Sequence, residues 1–101
     1  MRLDKLDVPK TVLWQLTASA TSVAANHRAC RRARSDRELT AKLGVVVEEA
    51  DESKLWLELL EVVLGDEQDV KACRELDCEA AELTRIFSKS LATTRARTAI
   101  R

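Results

Sequence analysis

Apolar positions along the chain recur at gaps of three and four, the spacing of one face of an α-helix. The clearest run follows Ser35, where Leu39, Leu43, Val46, Ala50, Ser53, Leu57, Leu60 and Leu64 share a seam. Val47, Trp56, Leu59 and Val63 widen it. Such a seam suits packing at small crossing angles, and its width predicts more than one neighbour. Glu48, Glu49, Asp51, Glu52, Glu58 and Glu61 are expected to face solvent. Ser35 followed three residues later by Glu38 is a capping box, and Asp36 puts negative charge in the first turn. Gly65 is expected to close the helix as a left-handed residue. At 1.5 Å per residue the element would be roughly 45 Å long.

Two further helices flank it. Pro9 suits the first position of a helix, where its missing N–H is not needed. From there to about Arg34 the expected seam is Leu13, Leu16, Ala20, Val23, His27 and Cys30. The middle of this helix, TASATSVAAN, is built of small residues, several of them weak helix formers, which predicts close neighbours on several sides. After Gly65, Asp66 can cap a third helix with the seam Val70, Cys73, Leu76, Ala80, Leu83, Phe87 and Leu91, widened by Ile86. It is expected to fade between Thr93 and Arg97. Leu3, Leu6 and Val8 read as the tail of a helix or as an extended arm. The expectation is an all-α antiparallel up-down bundle, one domain over 1–101 with helices at about 9–33, 36–64 and 67–95. Both connections are short, so successive helices run up, down, up.

Composition agrees with that class. Two glycines and one proline leave little material for turns, and 34% of the 101 residues are charged. Basic and acidic residues balance at 17 each, so net charge gives no pull toward nucleic acid or membrane. No apolar run approaches the roughly 20 residues of a membrane span, and the start lacks a signal peptide's apolar core. A cytoplasmic setting without membrane contact is the expectation. Cys30, Cys73 and Cys78 lack metal-ligand spacing and read as small buried hydrophobes. With one histidine, no zinc site assembles. The carboxylates Glu48, Glu49, Asp51 and Glu52 lack the Glu-x-x-His pairs of a di-iron bundle. No paired acid and base, phosphate loop or metal cluster is present in the sequence, which reads as a non-enzyme without cofactor.

Charge nevertheless segregates. Arg28, Arg31, Arg32, Arg34, Arg37 and Lys42 flank the first turn, and Arg85, Lys89, Arg95, Arg97 and Arg101 lie late in the third helix. An up-down-up fold brings both groups to one end, with Glu58, Glu61, Asp66, Glu67 and Asp69 at the other. Three readings stay open: solvated charges complementing helix dipoles, a patch for an anionic partner such as RNA or DNA, or salt bridges between subunits. For the second, Arg28, Arg31, Arg32, Arg34 and Arg37 are the candidate phosphate contacts. Candidate register or interface positions are Asn26, His27, Gly44 and Trp56. Gly44 is expected to admit a neighbouring backbone. Asn26 would lie level with it, fixing register or merely bonding a backbone carbonyl. His27 reads as a satisfied core or interface histidine.

The run SATSVAANHRACRRARSDRELTAKLGVVVEEADESKLWLELL resembles the bacterial four-helix bundle protein family, the 23S rRNA-intervening sequence proteins. The matching pieces include Pro9–Lys10, Gln15, Ser19 to Val23, Ala25–Asn26, Arg28–Ala29, Lys42–Leu43–Gly44, Glu48 to Glu52, Trp56 to Leu59 and Glu82–Leu83. The resemblance implies a cytosolic four-helix bundle that assembles as a ring-shaped homopentamer, with no catalytic residues to carry over. A related branch partners a reverse transcriptase and is thought to bind nucleic acid. Family members usually have an apolar helix before the proline-lysine, and eight residues precede Pro9, so the resemblance implies either a truncated start or a first helix shortened or missing. The reading is an uncharacterised homo-oligomeric interaction module, with a nucleic-acid-binding accessory protein as the alternative. Partners are the chain itself, and RNA, DNA or another protein.

Overall fold

The computed structural model describes residues 7–100, and side chains from 10 to 99. Expectations for Leu3, Leu6, the Val8 side chain and Arg101 lie outside that range. The described residues form three α-helices and no strand: α1 (Asp7–Cys30), α2 (Asp36–Val63) and α3 (Glu67–Ile100).

Local signals explain most boundaries. The Ser35 side chain accepts from the Glu38 amide at 3.1 Å, so the forward half of the capping box forms. The Glu38 carboxylate turns instead toward Arg34 and Lys42, each at 3.9 Å. Asp66 Oδ1 accepts from the amides of Gln68 and Asp69 at 2.8 and 3.4 Å and starts α3. Other expectations are corrected. α1 starts at Asp7, two residues ahead of Pro9, and ends at Cys30 rather than 33, because Arg31, Arg32 and Ala33 bond three residues back in tight 3₁₀ turns. Gly65 is not left-handed; α2 stops because Leu64 turns extended, its N–H still bonded to Leu60. α3 does not fade after Thr93. Thr94 is buried, Thr98 lies 3.5 Å from Thr40, and Arg97 reaches Asp36 at 3.5 Å, so contacts with the start of α2 hold the last turns.

Helix α2 lies between the other two. Ser53 bonds Ser19 of α1 at 3.0 Å, and Val12 packs with Leu60. Asp36 meets Arg97, Lys54 meets Asp77 and Glu61 meets Arg74 of α3. Residue numbers fall on one helix as they rise on the other, so both partners run antiparallel to α2. Among the described residues no Cα of α1 comes within 8 Å of a Cα of α3. The extents are 53 × 19 × 16 Å and the radius of gyration is 15.9 Å, against about 13 Å for a compact chain of this length.

The buried seam of α2 is Leu43, Val46, Ala50, Ser53, Leu57 and Leu60, in the phase its periodicity predicts. Leu60 and Val46 are fully buried, each worth about 1.5–3 kcal/mol of transfer free energy. The outer helices depart from expectation. In α1 the buried residues are Val12 and Ser19, whereas Leu13, Ala20 and His27 are exposed. In α3, Cys73, Phe87 and Leu91 are buried but Leu76, Leu83 and Ile86 are about half exposed. Leu59 of α2, expected to widen the seam, is exposed as well. An outer helix whose backbone packs only on α2 buries mainly the part of its stripe turned toward α2. Within one copy the small residues expected to have close neighbours on several sides are open: Thr17, Ala18, Thr21, Ala24 and Ala25 are exposed. The hydroxyls of Thr17, Ser19 and Thr21 bond carbonyls three or four residues back along α1.

Candidate functional site

The uncovered stripes of α1 and α3 face one another across α2. Two core clusters close the molecule at separate levels: Val12, Leu60 and Cys73 with Leu16 and Trp56, and Val46, Ala50 and Phe87 with Val23 and Cys30. Between them the three helices present small side chains, Ser19 and Ala20, Ser53, and Ala80, with Ala50 at the edge of the second cluster. These cannot span the gap between α1 and α3. A cavity of about 340 Å³ results, floored by Ala50, Ser53 and Leu57 and walled by Leu16, Ala20, Leu76 and Leu83. Glu79 is its one charged lining residue. The cavity opens to solvent as a groove. Beyond Phe87 the same face of α2 and α3 continues past Leu39, Leu43 and Ile86 to Lys89 and Arg97. The groove is apolar in its middle and basic at that end.

The candidate interface residues fall in different places. The His27 ring lies 5.3 Å from that of Phe87 and is exposed, so it bridges α1 and α3 at the rim of the groove. Asn26 donates to the Ser22 carbonyl at 2.9 Å and to its hydroxyl at 3.1 Å, which bears out the modest alternative of a local backbone bond. Within one copy no neighbouring backbone approaches Gly44: a Cβ there would meet nothing within 4 Å. Trp56 packs on the Val12–Leu60 cluster while its indole N–H donates to Glu52 at 3.3 Å. Of the cysteines, Cys73 is buried, Cys30 half-buried and Cys78 exposed, which corrects the expectation for the last. Burial pushes the Cys73 thiol pKa up, and nearby Asp69 and Glu61 push it the same way. Burial also raises that of Cys30, against the pull of Lys42.

The five candidate arginines come to one end, where α1 stops and α2 begins. All five are exposed. Arg34 is spent on Glu38, whereas Arg28, Arg31, Arg32 and Arg37 make no ion pair among the described residues. The late basic residues of α3 share this end, as the Arg97–Asp36 contact requires. At the opposite end, hydrogen bonding to Glu61 raises the pKa of the exposed Arg74.

Sequence reasoning missed two features. One is the Ser19–Ser53 hydrogen bond, a buried polar contact between α1 and α2. The other is a second apolar line on α2: Leu55, Leu59 and Val62 are exposed, Val62 by 83%. Their spacing of four and three was visible as a faint signal beside the stronger seam. Among the described residues no group of three or more His, Cys, Asp or Glu side chains could hold a metal ion, and no helix is long and apolar enough to cross a membrane. No known family, curated protein or solved structure matches the chain.

Proposed function

We propose that this chain is a non-enzymatic helical interaction module that works as a homo-oligomer, of the four-helix-bundle kind. The observation that carries the reading is the groove between α1 and α3, whose apolar walls a single copy leaves in water. Contiguous apolar surface of this kind marks association sites in proteins. A pentamer and a cytoplasmic setting accompany the resemblance to the 23S rRNA-intervening sequence proteins and are part of the same proposal. Light scattering on the purified chain tests it: a mass several times that of one copy is expected at micromolar concentration. A stable monomer overturns it.

A second reading rests on the unpaired Arg28, Arg31, Arg32 and Arg37. They would contribute sequence-independent, salt-sensitive affinity for nucleic acid phosphates. No aromatic side chain interleaves with them, so base stacking is not part of it. Mobility shifts at low and moderate salt, with three of the arginines changed to glutamate, test this reading. Binding that survives the change rejects the assignment.

A further inference from the structure

The exposed apolar residues of α2 and the groove lie on opposite faces of the molecule. At 100° per residue, Leu55, Leu59 and Val62 fall about half a turn around α2 from the floor residues Ala50, Ser53 and Leu57. They form a ridge of the width that helix packing uses. We propose that a second copy of this chain seats this α2 ridge in the groove between α1 and α3, so that the contact joins two different faces. The inference rests on the homo-oligomer reading and adds to it which surfaces meet.

Two further observations select a second copy as the occupant. The accessible surface is 7141 Å², where a closed monomer of this mass would expose about 5,700 Å². The excess of about 1,400 Å² is of the order of two interface faces, one groove and one ridge, at about 800 Å² each. Charge also matches along the contact. Toward the start of α2 the ridge face carries the exposed Glu48 and Glu52. Beyond Leu83 and Ile86 the groove runs to Lys89 and Arg97. Leucines over the apolar middle and glutamates toward the basic end set the incoming helix antiparallel to α3, in the place of a fourth helix. Every copy would then offer one groove and one ridge. A contact of this type propagates from copy to copy and closes only as a ring.

Complementary variants test the pairing. Leu83→Glu blocks the groove and Val62→Lys with Leu59→Lys blocks the ridge, all at exposed positions. Circular dichroism checks that each remains helical. Should Leu83→Glu unfold, Ile86→Glu, at an exposed position bordering the groove, takes its place. Each variant alone is expected to lose association by roughly thirtyfold or more. Mixed one to one, they should form a two-chain complex and stop, because one intact ridge meets one intact groove. A ridge variant that keeps the wild-type mass while the groove variant falls apart overturns the pairing and leaves self-association standing. In that outcome the groove takes a second groove or another molecule. A mixture that stays monomeric also overturns the pairing. A monomeric wild-type chain overturns both this inference and the reading beneath it.

Discussion

The two flanks of α3 differ in what they have been given to do. Along the flank of α3 away from the groove, polar side chains cross to α2: Asp77 to Lys54 and Arg74 to Glu61. That edge is closed by ion pairs within one copy, although Asp77 Oδ1, 3.9 Å from Lys54, is buried with no hydrogen-bond partner among the described residues. Along the other flank Leu76 and Leu83 wall the open groove and Ile86 borders its continuation, and all three stay about half exposed. One helix thus carries a finished edge and an unfinished one. The lesson is that burial here follows the number of neighbours, not the width of the apolar stripe.

Leucine truncation should break the comparison most sharply. Leu60→Ala, at a fully buried site, is expected to lose about 2–5 kcal/mol in urea denaturation. Leu83→Ala, about half exposed, should cost under about 1 kcal/mol in a dilute sample and act instead on native mass. Equal losses would mean the groove is closed in solution within one copy.

Thiol chemistry comes next. Exposed Cys78 should react with a maleimide at the rate of a free thiol, and buried Cys73 about a hundredfold more slowly or less, waiting for opening of the fold. The folded state holds the Cys73 and Cys30 thiols protonated to higher pH than the unfolded chain does. The unfolded state therefore binds fewer protons above about pH 9, and stability should fall as pH rises through that range. Flat stability from pH 8 to 10 would contradict the burial of these thiols.

Smaller effects test the first half of α2 and its contact with the end of α3. Gly44→Ala should raise stability by about 1 kcal/mol, because helix propensity improves and a Cβ meets nothing within 4 Å. A loss there in the assembled protein would place a neighbouring copy against Gly44. Ser35→Ala should cost about 1 kcal/mol by removing the cap on α2, read from thermal melts. Arg97→Ala, in a half-exposed pair with Asp36, should cost less than about 1 kcal/mol and less still at high salt.

The sequence by itself determined the number of helices, the starts of α2 and α3, and the buried seam of α2. The Ser35 and Asp66 caps and the Leu43 to Leu60 periodicity are local, and local interactions decide them. Tertiary structure decided the rest. Whether Leu13 or Val12 turns inward, whether Leu76 and Leu83 are covered, and where α3 ends all depend on how many helices stand beside each one. A stripe of apolar residues states what a helix could bury. Only the arrangement of its neighbours states what it does bury, because burial belongs to a pair of surfaces and not to one.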